Sequence, residues 1–265
     1  MKLEQNIGII GCGNLGVSIA NGLLKNGVVE APQLWVSKRK PESLDHLKDQ
    51  GVHVSSSNVE LIQNCQLIVV ALKPYTILDE LEKHQELFKG GEHCVISVAT
   101  GIDLVNIQKA TGQEVTVFRA MPNTGADVGT SLTCISTSDS ESKHVSNVQK
   151  LFGAIGETVV IGEELMNAAT VLGACGIAYV LRFMRAMIQG GVQIGFDAET
   201  ASKVVAQTVK GAAELIIQNK KHPEEEIDKV TAPKGCTIAG LNEMEHNGFS
   251  SSLIKGITTS FNEIE

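Results

Sequence analysis

Short runs of apolar, often β-branched residues alternate with helical stretches over roughly the first 160 residues of the chain. Strands interleaved with helices in this way are typical of βαβ units, which build a mainly parallel sheet. The pattern therefore predicts an N-terminal α/β domain. Its strands are expected at residues 7–10, 34–36, 67–71, 94–98, 115–118 and 158–161.

The pattern changes at about Glu163. From there apolar residues recur at helical spacing, and no strand pattern follows. Asp197 and Pro223 stand where new helices would start, because aspartate caps a helix N-terminus and proline suits the first turn. We expect two domains, an α/β domain at 1–162 and an all-helical domain at 163–265.

The most apolar stretch, residues 168–187, lies in the helical part. It carries Arg182 and Arg185, whereas a membrane-spanning helix needs about 20 residues largely free of charge. We therefore expect a buried helix here and no membrane association. The N-terminus has no apolar run ending at a cleavage site, so nothing marks secretion and the cytoplasm is the expected location.

Composition argues against two further classes of function, nucleic-acid binding and zinc binding. Lysine and arginine number 22 against 30 aspartates and glutamates, a net charge of −8, which argues against a nucleic-acid partner that needs a basic face. The six cysteines stand singly, without the paired spacing of a zinc site. We expect no metal, and free thiols in a reducing compartment.

A glycine-rich loop directly follows the first predicted strand and opens a helical run. In that context the first glycine allows a tight turn, the second lets the backbone approach a pyrophosphate, and the third lets helix pack on strand. The helix N-terminus adds N–H groups and partial positive charge. The loop predicts a dinucleotide site formed by Gly11, Cys12, Gly13, Asn14, Leu15 and Gly16.

The end of the second predicted strand favours NADPH over NADH. An NAD site would place an acid there to accept from both ribose hydroxyls, but this chain has a serine followed by cations and no acid before Glu42. A hydroxyl beside cations suits a 2′-phosphate. The expected residues are Ser37, Lys38 and Arg39, and a solvated basic turn is the alternative.

Two further strand ends are candidate cofactor-binding segments, since ligands bind at the carboxyl ends of strands in such sheets. Lys73 could face a cofactor or merely cap its strand, and Pro74 could simply stop it. The candidate residues are Ala71, Leu72, Lys73 and Pro74 after one strand, and Val98, Ala99 and Thr100 after the next.

Five motifs, in order over nearly the whole chain, resemble pyrroline-5-carboxylate reductase, the last enzyme of proline biosynthesis. Two of them are the glycine loop and residues 71–74. The others are Arg-Ala-Met-Pro-Asn-Thr at 119–124, the pair Gly176 and Tyr179, and the segment 230–241.

The resemblance implies a Rossmann-type, doubly wound NADPH-binding domain and a helical domain that interleaves with a partner's, giving homodimers or larger assemblies. It also implies hydride transfer to the cyclic imine 1-pyrroline-5-carboxylate, forming L-proline. Ser37 would then lie at the adenosine phosphate, Asn58 at the adenosine end, and residues 71–74 and 98–100 at the nicotinamide end. The substrate would be held by Gly235, Cys236 and Thr237.

The chemistry of this last segment can also be argued from its residues. Gly235 and Thr237 precede apolar residues at helical spacing, which predicts a helix N-terminus whose N–H groups suit a carboxylate. A dialkyl imine is already basic, so the Thr237 hydroxyl, donating or relaying a proton through water, would suffice as the catalytic group. The alternative is that Thr237 only caps the helix, worth about 1 kcal/mol.

The chain departs from the family's usual pattern near the expected substrate rather than the cofactor. Lys234 adds charge beside a carboxylate site, and lost hydroxyls elsewhere remove hydrogen-bond donors. These changes leave open which substrate is used and how high the catalytic activity is. The altered positions are Cys175, Ile177, Arg185, Ala232 and Lys234.

Two other functions stay open at this point. A β-hydroxyacid dehydrogenase shares the two-domain plan but depends on a lysine in the long helix after the sheet domain, and residues 165–202 contain none. The other is a low-activity, NADPH-binding paralogue that acts as a sensor or assembly subunit, which the departures from the family pattern favour.

Overall fold

The computed structural model describes residues 2–139 and 141–264. The chain divides into two compact units, one running to Cys175 and including the last residues from Glu263, the other spanning Gly176–Asn262. The predicted boundary after residue 162 falls inside the first unit, and the domain limits remain a prediction.

The first unit is built on an eight-stranded sheet with the order β3-β2-β1-β4-β5-β6-β7-β8. Neighbouring strands pair in parallel, except that β6 and β7 are antiparallel. The strand order reverses direction at β1, where such sheets bind ligands. The strands are Ile7–Ile10 (β1), Leu34–Ser37 (β2), His53–Ser55 (β3), Leu67–Val70 (β4), Cys94–Ser97 (β5), Thr116–Met121 (β6), Ser131–Thr137 (β7) and Gly156–Val160 (β8).

Helices cover both faces of this sheet, so the predicted α/β, doubly wound fold is confirmed. Side chains alternate between the faces: Ile7 and Ile9 pack with α1 and α6, whereas Ile10 and Ile68 pack with α3, α4 and α5. The helices are Asn14–Lys25 (α1), Asp45–Lys48 (α2), Asn58–Asn64 (α3), Pro74–Lys83 (α4), Leu104–Thr111 (α5), Val145–Gly153 (α6) and Met166–Ala169 (α7).

Six of the eight strands match predicted ones, and β3 and β7 do not. β3 has only three residues, with Val54 as its single aliphatic side chain, so its pattern is too short to recognise. β7 has Leu132 and Ile135 among serines and threonines, but these two are three positions apart and do not alternate, so no strand pattern is visible in the sequence.

The second unit is helical throughout its described elements, as predicted. Asp197 caps α9, its carboxylate accepting from the Thr200 amide at 2.9 Å, and Pro223 opens α10. Both helix starts were expected from the sequence. The helices are Gly176–Gln193 (α8), Ala198–Asn219 (α9), Pro223–Val230 (α10), Cys236–His246 (α11) and Phe249–Asn262 (α12).

Most of the apolar stretch at 168–187 is not buried in the single chain, where Thr170 and Val171 alone among its residues are shielded, so the expectation of a buried helix is wrong. It lies in a helical run, Glu163–Gln193, that is long and apolar enough to cross a membrane by length and composition alone. Within the described part of the second unit, only Ala201, Val205 and Glu226 are buried. The helices of one chain therefore leave apolar faces that need a further surface to cover them.

Candidate dinucleotide site and substrate loop

The turn after β1 requires glycine at its first position. Gly11 has a φ of +82°, and a Cβ there would come within 2.9 Å of the Ala71 carbonyl oxygen. The amides of Gly11 and Cys12 both donate to the Ser37 carbonyl, at 3.1 and 2.8 Å. These bonds tie the loop to the end of β2, which is where the ribose of a dinucleotide is recognised.

The other two glycines do what the motif requires. Gly13 is the N-cap of α1 and provides no side-chain cap, so the N–H groups of the first turn stay available, and a Cβ there would meet only the Gly11 carbonyl oxygen, at 3.9 Å. At Gly16 a Cβ would lie 3.2 Å from Ile9, which shows that this glycine allows α1 to pack closely on β1. The open, uncapped helix end fits a pyrophosphate.

Cys12 lies inside this loop but is buried. Burial raises the pKa of its thiol to about 12, with a smaller opposing effect from Lys38. The thiol therefore stays neutral and adds no negative charge beneath the expected pyrophosphate.

A groove of about 470 Å³ runs from the loop along α1. Gly13, Asn14 and Lys38 line one part of it, and Ser18 and Asp127, which are hydrogen-bonded to each other, line another. The groove brings the glycine loop and the first cation after β2 into one site.

The side chains after β2 differ in accessibility. The Ser37 side chain is buried, and its hydroxyl donates to Asn58 Oδ1 at 2.6 Å. Lys38 is partly exposed and Arg39 is exposed, and neither forms an ion pair within the described residues. The two cations are therefore free to bind an anion, whereas the serine hydroxyl already has a partner.

Residues 71–74 and 98–100 are brought together, because β4 and β5 are neighbours in the sheet and both segments leave from the same carboxyl edge. The Ala71 amide donates to Ile10 at 2.8 Å and the Val98 amide to Val70 at 3.2 Å, so each segment first extends its strand. Lys73 is the N-cap residue of α4 and is exposed.

Sequence reasoning gave no role to Asn123, which the structure places at the end of β6. Its Oδ1 accepts from the Gly125 amide at 2.9 Å, and its Nδ2 donates to the Gly173 carbonyl at 3.2 Å. Gly173 lies in a π-helical segment, Thr170–Cys175, and such segments are frequent at functional sites. The sequence feature that could have identified Asn123 as a functional candidate is its place in the 119–124 motif.

In the second unit, the predicted helix start in the candidate substrate segment is confirmed. Gly235 is the N-cap of α11, which begins at Cys236, and no side chain caps its first turn. Thr237 is thus the second residue of the helix and not its cap, so the capping alternative is wrong. Thr237 is exposed, and its hydroxyl makes no hydrogen bond within the described chain.

Lys234 adopts a left-handed conformation, with a φ of +60°. Such a conformation costs a residue with a Cβ about 1–2 kcal/mol. The turn is closed by the Gly235 amide, which donates to the Ala232 carbonyl at 2.8 Å. The turn thus places one cation two residues before a helix N-terminus, a combination that favours a carboxylate.

Two family models match the chain. Residues 6–101 match "NADP oxidoreductase coenzyme F420-dependent", and residues 163–265 match "Pyrroline-5-carboxylate reductase dimerisation". The first covers the glycine loop and the ends of β2, β4 and β5 described above. The second covers the helical elements from Glu163 onward.

Two curated relatives come from Dictyostelium discoideum. Pyrroline-5-carboxylate reductase 2 is 40% identical over 98% of this chain and 92% of its own length. The chain belongs to the pyrroline-5-carboxylate reductase family. Pyrroline-5-carboxylate reductase 1 of the same organism is 41% identical over 98% of the chain, but the chain spans only about half, 49%, of that relative's length.

Among solved structures, the Plasmodium falciparum pyrroline carboxylate reductase with NADP bound has a TM-score of 0.89, with 24% identity, over 100% of this chain and 98% of the other. This likeness shows the shared fold. The curated relatives and the family models confirm the predicted family and oxidoreductase class, and the structure confirms the predicted fold class.

Proposed function

We propose that this chain reduces 1-pyrroline-5-carboxylate to L-proline with NADPH, the last step of proline biosynthesis. The full-length similarity to a curated reductase carries the proposal. The absence of a lysine from residues 165–202 argues against the β-hydroxyacid dehydrogenase alternative.

NADPH is the proposed cofactor, in preference to NADH. The N–H groups at the start of α1 would hold the pyrophosphate, and Lys38 and Arg39 the 2′-phosphate, since the sequence directly after β2 has no acid before Glu42. Residues 71–74 and 98–100 would flank the nicotinamide. When bound, NADPH supplies the hydride for the C=N carbon.

The substrate carboxylate would bind the N–H groups of Gly235, Cys236 and Thr237 at the start of α11, helped by Lys234. The Thr237 hydroxyl would donate to the imine nitrogen or relay a proton from water. Its exposure and its lack of another hydrogen-bond partner in the described chain support this role.

Two copies are proposed to assemble through the helical domain, in the cytoplasm. The support is the dimerisation model over 163–265 and the large apolar side chains left exposed there, such as Ile194 at 80% and Ile217 at 66%. Burial of these faces between copies also accounts for an apolar helical run without a membrane. Native mass spectrometry would measure the number of copies.

The deciding experiment follows NADPH absorbance with three substrates: the five-membered imine, its six-membered homologue and a β-hydroxyacid. We expect rapid oxidation with the five-membered imine only. Tight NADPH binding without turnover of any substrate would instead support the low-activity paralogue, which the departures from the family pattern at Cys175 and Ile177 favour.

A second measurement tests the substrate loop without turnover. Cys236 is exposed, whereas Cys12, Cys65 and Cys94 are buried with pKa values raised by burial, so Cys236 should be the fastest thiol to react with a labelling reagent. Proline should protect it, and Cys236→Ala should remove the fast phase. Labelling that proline leaves unchanged would argue against this loop.

A further inference from the structure

Glu80, on α4, brings a carboxylate to the end of β2 from outside the glycine loop. Its Oε1 accepts from Asn58 Nδ2 at 2.7 Å, and Asn58 Oδ1 accepts from the Ser37 hydroxyl at 2.6 Å. Ser37 is the last residue of β2, where the adenosine ribose is recognised in sheets of this topology. A carboxylate from a residue 22 positions beyond Asn58 is thus linked to the end of β2 through the Asn58 side chain.

The Glu80 carboxylate is held in place rather than free to swing away. His84, the residue that directly follows the end of α4, has its Nε2 3.0 Å from the same Oε1. The Glu80 side chain is 27% exposed and that of His84 is 10% exposed. The carboxylate is thus half-buried and has two hydrogen-bonding neighbours.

The bonding of Asn58 determines what its amide offers to a ligand. A carboxylate only accepts, so Nδ2 must face Glu80 and Oδ1 must face Ser37, whose hydroxyl then acts as the donor. One N–H of Nδ2 remains. Because the two N–H directions of a planar amide diverge by about 120°, a second acceptor on this nitrogen would lie about 5 Å from Glu80 Oε1.

At about 5 Å from the Glu80 carboxylate, the charge of the second acceptor determines whether its binding is favoured. A dianionic 2′-phosphate would be repelled by the carboxylate, and no hydrogen can be placed between them. A ribose hydroxyl, as in NADH, carries no charge and can itself donate to a carboxylate. Lys38 and Arg39 attract the phosphate from the β2 side, so the two influences oppose each other.

We infer that Glu80 is a specificity-determining residue, which acts through Asn58 to reduce the enzyme's selectivity for NADPH over NADH. The inference rests on the proposed NADPH-dependent function. Glu80 is a positioning residue in this account, and it takes no part in hydride transfer.

The test compares the Kd values of NADPH and NADH, measured by calorimetry at pH 8 on the intact protein. In Glu80→Gln, which keeps an oxygen acceptor for Asn58 but loses the charge, we expect the ratio of Kd for NADH to Kd for NADPH to rise about tenfold. The rise should come from tighter NADPH binding. Glu82→Gln removes a charge from an exposed position on the same helix and should leave the ratio unchanged.

Glu80→Ala provides a second variant, because it removes both the charge and the hydrogen bond. A merely structural role for Glu80 would weaken both cofactors together and leave the ratio unchanged in both variants, which would overturn the inference. If the unaltered protein bound neither nucleotide, the proposed function would fall, and the inference with it; binding of both with an unmoved ratio would overturn the inference alone.

Discussion

Arg119 Nη1 lies 2.7 Å from Glu163 Oε1, and this ion pair joins β6 to the start of the helical run at residue 163. Arg119 is 4% exposed, and within the described residues its Nε and Nη2 make no hydrogen bond. Glu163 Oε1 also accepts from the Leu104 amide at 3.2 Å. A buried guanidinium thus depends on one carboxylate. That carboxylate connects β6, the start of α5 and the start of the helical run at residue 163.

Removal of that carboxylate should be costly. Glu163→Ala leaves the Arg119 charge buried without a partner, and we expect the free energy of unfolding to fall by about 3 kcal/mol. Chemical denaturation at fixed protein concentration measures it. Glu164→Ala, a neighbouring exposed carboxylate, is the control and should change little; a loss below about 1 kcal/mol in Glu163→Ala would show that the pair is unimportant.

Arg39 is expected to recognise the 2′-phosphate. Arg39→Glu replaces an exposed cation at the end of β2 with an acid that suits ribose hydroxyls. A charge-assisted hydrogen bond contributes roughly 1.5–3 kcal/mol, so the preference for NADPH over NADH should fall by about one to two decades. Steady-state kinetics with each cofactor measures the ratio of kcat/KM for NADPH to kcat/KM for NADH. Lys48→Glu, an equal charge change on α2, should leave this ratio unchanged.

Thr237 should affect turnover much more than stability. Since its side chain is exposed and does not cap α11, Thr237→Ala should barely lower Tm, while kcat/KM falls more than tenfold through loss of the donating hydroxyl. Thr237→Ser keeps that hydroxyl and should retain most of the activity. Equal kcat/KM values in the alanine variant and the parent enzyme would rule out the catalytic role.

His144 should make the fold sensitive to acid. Burial, with a smaller effect from the Lys143 charge, holds its pKa below the ordinary 6.5. The unfolded chain therefore takes up a proton near pH 6.5 that the folded chain does not, so the free energy of unfolding declines as pH falls below that value, until the folded pKa is reached.

This acid sensitivity can be measured by urea unfolding at pH 7.5 and 5.5. His144→Leu should reduce the difference between the two free energies, whereas exposed His46→Gln should not. Some difference should persist, because burial also lowers the pKa of His93. An unchanged difference in His144→Leu would mean that other groups set the acid response.

Local signals were enough to predict the glycine loop, the start of α9 at Asp197 and the start of α11 at Gly235, because glycine turns and helix caps depend on adjacent residues. Contacts distant in sequence could not be found in this way. Glu80 and Asn58 are 22 positions apart and Arg119 and Glu163 are 44 apart, and nothing in either segment indicates its partner.

The apolar stretch at 168–187 shows a different limit. Its composition correctly indicates that it must leave water, but a single sequence does not say whether its own chain or a second one provides the cover. Here the described chain leaves most of it open, and a second copy is the cover that we propose.

With just Ala201, Val205 and Glu226 shielded among the described residues from 176 to 262, the C-terminal helices have little core of their own, so the proposed pairing of two chains through them would couple folding to dimerisation. Thermal midpoints should then climb as the protein is concentrated. The stability of the fold would then depend on how much of the protein is present, and not on its sequence alone.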